Sequence, residues 1–189
     1  MKRAALVVGV VVLAGCGGGS KAPAFEGTAL SPPAKAPSFT LRDQAGKPVS
    51  MQSERGRYAV VTFLYTHCPD VCPIIAGTLN RVLQTPLAKR TGLHVLAVSV
   101  DPAGDTPASV TRFVRVHRLL PTFRYLTGTR AQLAPVWKAF HIAAAPGMSG
   151  VVSHSAFEIL VDPQGRERLI FDSNVTTAAV LHDLRALAT

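Results

Sequence analysis

Tyr58-Ala59-Val60-Val61-Thr62-Phe63-Leu64-Tyr65-Thr66-His67-Cys68-Pro69-Asp70-Val71-Cys72-Pro73 is the stretch on which the fold turns. Its first half is β-branched and aromatic, the pattern of a strand buried on both faces. Its second half holds two cysteines four residues apart and two prolines. From Pro73 to Lys89, Ile75, Leu79, Val82, Leu83 and Leu87 fall at helical spacing. Pro73 suits a first helical turn, where the N–H it lacks would go unpaired anyway. A strand, a cysteine loop and a helix in succession put both thiols at a helix N-terminus. Backbone N–H groups and the helix dipole there favour thiolates, and Asp70 opposes them.

Outward from this stretch, strands and helices alternate. Ser38 to Met51 reads as a small hairpin around Asp43-Gln44-Ala45-Gly46. Leu93 to Val100 reads as a second buried strand. Thr106 caps a helix whose first turn holds Pro107 and which runs to about His117. Phe123 to Leu126 is a short strand and Thr129 to Phe140 a helix. Ala156 to Val161 and Arg166 to Phe171 are strands joined by Asp162-Pro163-Gln164-Gly165, a turn sequence. Thr176 to Leu187 closes the chain as a helix. This order predicts an α/β fold: a central mixed sheet flanked by helices, with an N-terminal β-hairpin, which a thioredoxin-like architecture fits.

The N-terminus carries a separate message. Lys2 and Arg3 precede an uncharged apolar run from Ala4 to Leu13, the length of a signal-peptide core and too short to span a bilayer. The run ends in Leu13-Ala14-Gly15-Cys16, which resembles a bacterial lipobox. Residues 1–15 are expected to be a lipoprotein signal peptide and Cys16 the lipidated residue. Two acyl signals suffice for stable anchoring. Residues 16–37, rich in Gly, Ser, Pro and Ala, read as a flexible tether, and 38–189 as the folded domain.

Composition bounds the function. The 189 residues suit one domain, and 48 % hydrophobic residues suit an ordinary core. Cysteines number 3, which excludes a disulfide-stapled miniprotein and a four-cysteine zinc ribbon. With Cys16 assigned to the anchor, Cys68 and Cys72 remain as a pair on an exposed loop. The formal net charge of +9 identifies no partner. Arg112, Arg115 and Arg118 recur on one face of a helix, a solvated pattern. Aromatics, at 6 %, are too few for a nucleic-acid groove, and no nucleic-acid partner is expected.

Three roles compete for the cysteine pair: an inert short-loop disulfide, a redox dithiol, and a metal site. A short loop gains little from a disulfide. Redox dithiols of the thioredoxin kind have two intervening residues, and here there are three. Two soft sulfurs with a third ligand make a trigonal Cu(I) site. Among the 6 histidines, His94, His117 and His182 lie on ordinary strand or helix positions. His67 ends the strand, His141 follows a helix, and His154 stands directly before a strand beside the cysteine loop. Asp101 and Asp105, in the turn after the second strand, read as turn and capping residues.

Thr62 to Pro73 resembles the signature of the Sco/SenC copper proteins. Val98-Ser99-Val100-Asp101-Pro102-Ala103-Gly104-Asp105-Thr106-Pro107 is similar to that family's second characteristic stretch. Ser153-His154-Ser155, followed by a strand and Asp162-Pro163-Gln164-Gly165, is similar to its third. The resemblance covers roughly residues 38–188. It implies a thioredoxin-like fold holding one copper ion, Cu(I) or Cu(II), on Cys68, Cys72 and His154. It further implies a metallochaperone that assists assembly of the binuclear CuA centre of cytochrome c oxidase subunit II. The domain would lie on the periplasmic side of a bacterial membrane, supplied by another periplasmic copper chaperone or a thiol reductant. The alternative is a membrane-tethered thiol–disulfide oxidoreductase that reduces the CuA cysteines through Cys68 and Cys72 without delivering copper. Thioredoxin-type enzymes carry a cis-proline before the facing strand, and residues 149–153 contain no proline.

Overall fold

The computed structural model describes residues 24–146, 152–154 and 157–189, with backbone alone for 144–146 and 152–154. The chain runs β1 (Thr28–Lys35), β2 (Thr40–Arg42), β3 (Pro48–Ser50), a single 3-10 turn, β4 (Ala59–Leu64), α1 (Val71–Leu83), α2 (Pro86–Arg90) and β5 (His94–Ser99). It continues with α3 (Pro107–Val116), β6 (Phe123–Leu126), α4 (Arg130–Ala139), β7 (Ala144–Pro146), β8 (Val152–His154), β9 (Phe157–Val161), β10 (Arg166–Asp172) and α5 (Thr177–Leu187). Among the described residues no helix is long and apolar enough to cross a membrane.

One six-stranded sheet has the order β1-β10-β9-β4-β5-β6. β4, β5 and β6 are parallel, while β9 runs antiparallel to β4, β10 to β9 and β1 to β10. This is the mixed, helix-flanked, thioredoxin-like sheet expected. Every residue of β4 is buried, as a β-branched and apolar run in the centre of a sheet requires, and Thr62 satisfies its hydroxyl on Glu158. Phe63 packs its ring against Phe140 at 5.5 Å and Phe157 at 6.3 Å, tying α4 and β9 to the central strand.

The helices follow their local signals. Thr106, Thr129 and Thr176 each accept a backbone N–H at a helix start, and Thr129 with Gln132 forms a reciprocal capping box. The helix expected from Pro73 to Lys89 is two helices. Pro86 has no N–H to continue the ladder and restricts Thr85 to extended backbone, so α1 stops and Thr85 caps α2.

The expected tether is corrected over residues 28–35. These form β1 along β10, with Thr28 opposite Ile170 and Lys35 opposite Arg166. The strand is exposed along most of its length, so it lacks the alternating apolar pattern that betrays a strand. Pro32 and Pro33 fall where the register shifts between Ala29 and Ala34, on an edge that needs no donor there. Residues 1–23, with the signal peptide and Cys16, lie outside the described residues.

The opposite edge is closed by the hairpin β2–β3. Asp43 Oδ1 accepts the N–H groups of Ala45 and Lys47 and shapes its turn. The Gln44 carboxamide then donates to Phe123 O at 3.1 Å and accepts from Tyr125 N at 2.8 Å, standing in for a neighbouring strand on β6.

Candidate metal centre

β4 ends at Leu64, and the chain turns so that Cys68 N–H donates to Tyr65 O at 3.3 Å. α1 begins at Val71. Asp70 stands at its cap position, yet its carboxylate accepts no capping bond. A sulfur does so instead: Cys72 N–H donates to Cys68 Sγ at 3.4 Å. Both cysteines are free thiols. The exposed pair expected from the loop is in fact buried, with Cys68 8 % accessible and Cys72 0 %. Cys72 faces inward because it shares the core side of α1 with Ile75, Ala76 and Leu79.

The two sulfurs are electrostatically unequal. A hydrogen bond from the Cys72 thiol pushes Cys68 down to about 5, aided by the N–H groups of Asp70 and Cys72 and by Tyr65, against the cost of burial. Cys72 is pushed up, first by that same hydrogen bond and then by burial. At neutral pH the pair is therefore one thiolate beside one thiol, with the negative charge on Cys68.

Asp105 does more than the turn chemistry expected of it. Its buried carboxylate accepts from Thr66 N–H at 2.7 Å, Ser99 hydroxyl at 2.6 Å and Tyr125 hydroxyl at 2.9 Å. It thereby fixes the start of the cysteine loop to β5 and β6. Burial raises its pKa, with the three donors working in the opposite direction. Capping of α3 belongs to Thr106. A sequence signal existed: Thr106-Pro107 already supplies cap and first turn, leaving Asp105 without a local task.

Asp101 does perform turn chemistry, accepting Gly104 N–H at 3.0 Å. A Cβ at residue 104 would collide with the Asp101 carboxylate and approach the His67 ring, so this turn requires glycine. His67 lies exposed in the loop beyond the end of β4, its Nδ1 3.2 Å from the Thr66 hydroxyl.

His154 is the last residue of β8, paired across to Ala144 in a two-stranded ribbon that sequence patterning did not reveal. Its side chain lies outside the described residues. β8 leads into β9, which adjoins β4, and Phe157 at the start of β9 touches Phe63 near the end of β4. The backbone thus brings His154 to the end of the sheet that carries Cys68. Among the described residues no third acid, histidine or cysteine joins the two sulfurs. A close sulfur pair, one member held as thiolate, suits a soft monovalent metal.

The model of the SCO1/SenC family matches residues 27–189. A Stutzerimonas stutzeri protein named for copper binding is 33 % identical over 137 residues, 70 % of this chain and 66 % of that one. The solution structure of apo Sco1 from Thermus thermophilus superposes with TM-score 0.75 at 28 % identity, covering 87 % of this chain and 97 % of that one. Bradyrhizobium japonicum ScoI with copper bound gives 0.68 at 32 %, covering 80 % and 98 %. Two thiols at the start of α1, the aspartate that fixes their loop and the family match over nearly all of the described chain agree: the chain belongs to the SCO1/SenC family.

Proposed function

We propose that this chain is a copper metallochaperone that assists assembly of the CuA centre of cytochrome c oxidase subunit II. Cys68, Cys72 and His154 hold the cargo ion. The carrying observation is the buried pair of sulfurs at the start of α1, with Cys72 N–H donating to Cys68 Sγ at 3.4 Å. Two sulfurs and an imidazole nitrogen bind Cu(I) in a trigonal set, and an added oxygen completes a tetragonal set for Cu(II). Copper in the Bradyrhizobium japonicum relative supports the assignment. A diacylglycerol thioether on Cys16 tethers the domain to the extracytoplasmic face of a bacterial membrane.

The inequality of the two sulfurs supports a second reading, reduction of the target's cysteines. Cys68 thiolate attacks one sulfur of the target disulfide, forming a mixed disulfide and expelling the other target sulfur as thiolate, which takes a proton. Cys72 then loses its proton and attacks Cys68 Sγ. The Cys68–Cys72 bond closes and the second target thiolate leaves, so two electrons pass to the target.

One mixing experiment separates the two. Copper-loaded protein is added to reduced apo-subunit II and, in parallel, reduced copper-free protein to the oxidised apo-subunit. Delivery produces the binuclear centre's absorption in the first mixture. Reduction produces free target thiols in the second. Absence of both would overturn both readings.

A further inference from the structure

The corrected N-terminal strand decides which end of the domain meets the membrane. β1 runs antiparallel to β10, β10 antiparallel to β9 and β9 antiparallel to β4. β1 is therefore antiparallel to β4, and its first residue lies at the end of the sheet where β4 hands over to the cysteine loop. Had residues 28–35 hung free, the chain would have left the domain at Ala36. Ala36 N–H is bonded to Gly165 O in the β9–β10 turn, at the opposite end.

The exit is held at the cysteine end by a buried carboxylate that the copper chemistry does not use. Asp183 of α5, 0 % accessible, accepts Glu26 N–H at 3.0 Å and Gly27 N–H at 2.9 Å, one on each oxygen. Phe25 packs against the core. A Cβ at residue 27 would lie 2.9 Å from the Phe171 ring, so glycine allows the chain to pass close to β10. Glu26 and Gly27 line a cleft of about 480 Å³ with Phe157, Asp172 and Thr176, residues of the same sheet end.

From Cys16 to Ala24 there are 7 intervening residues. Whatever their conformation, they span at most about 28 Å. The folded part, 24–189, is about 40 Å across by the usual scaling of size with length. The leash is shorter than the domain is wide. We infer that the anchored domain stands with its cysteine end toward the lipid surface and its Asp162–Gly165 turn toward solvent, addressing a partner whose receiving groups lie close to the membrane. This rests on the proposed anchor at Cys16.

Energy transfer to dansyl-headgroup lipid in phosphatidylcholine–phosphatidylglycerol vesicles tests the orientation. Trp137, the single tryptophan, donates its indole N–H to Ser99 O at the cysteine end. The full lipidated chain should lose more Trp137 emission than the Trp137→Phe/Gln164→Trp variant loses from its far-end indole. In a wild-type arm, inserting about 60 Gly/Ser residues after Ala22, whose root-mean-square span of about 45 Å exceeds the domain width, should restore Trp137 emission. Equal or reversed losses, or no effect of the insertion, would overturn the orientation. Flotation with the vesicles reads the anchor separately: a chain that stays behind refutes lipidation of Cys16. The orientation is then read from a chain starting at residue 16 and held on nickel-lipid vesicles by an N-terminal hexahistidine.

Discussion

Asp105 acts on the cysteine loop through Thr66, two residues before Cys68. Three donors, from Thr66, Ser99 and Tyr125, converge on it, and two of them come from neighbouring strands. Asp105→Ala leaves these groups buried and unpaired and should cost about 3 kcal/mol, read as a lowered urea midpoint. Asp105→Asn keeps one acceptor oxygen and should fall between. The thiols give a sharper test of charge. Iodoacetamide should label Cys68 in the reduced protein with a pH midpoint near 5, while Cys72 stays unlabelled until the chain unfolds. An ordinary thiol midpoint, near 8.5, for Cys68 would refute the thiolate. For the proposed ligands, replacing Cys68, Cys72 or His154 with Ala should each weaken Cu(I) retention against a competing chelator. Near-wild-type retention in His154→Ala would sink the three-ligand set. At this scale the sequence displayed the cysteines, because two sulfurs flanked by prolines have few bland uses. It hinted that Asp105 had no local task but not what it holds, because Thr66 and Tyr125 lie far off in sequence and only folding brings them together.

Elements whose own residues specify them were legible. β4 and β5 are uncharged runs rich in valine, buried or nearly so throughout, and α3, α4 and α5 open on threonine caps. Thr129→Ala removes one acceptor of the capping box and should cost about 1 kcal/mol in the same urea assay. What was not legible depends on a neighbour. β1 has no apolar alternation and is a strand because β10 offers it a free edge and Asp183 clamps its approach. The β7–β8 ribbon spans only three residues a side, too few for period-two patterning to register. The division of the long helix was written at Thr85-Pro86, a cap followed by a residue that cannot continue a ladder.

At the scale of the whole molecule, a carboxyl sits in the sheet with no ion pair among the described residues. Glu158 of β9 is 0 % accessible and accepts only the Thr62 hydroxyl at 3.3 Å, and its Oε2 has no partner among the described residues. Burial pushes its pKa up to about 8, with Asp172 adding repulsion. The folded state thus holds this proton more tightly than the unfolded chain. Its stability is full below the unfolded value near 4.5 and declines as pH rises to about 8, by on the order of 4 kcal/mol at about 1.4 kcal/mol per unit. Glu158→Gln should flatten this decline in urea titrations repeated across pH. An unchanged slope would show that the carboxyl ionises freely in the fold. The two sheet margins carry a different consequence. An open strand edge invites growth of one copy's sheet onto the next. On one margin Pro32 and Pro33 interrupt β1, and on the other the Gln44 carboxamide occupies the β6 groups that a visiting strand would need. Neither margin therefore offers a second copy an uninterrupted ladder to extend, so the sheet ends with this chain rather than running on into a neighbour.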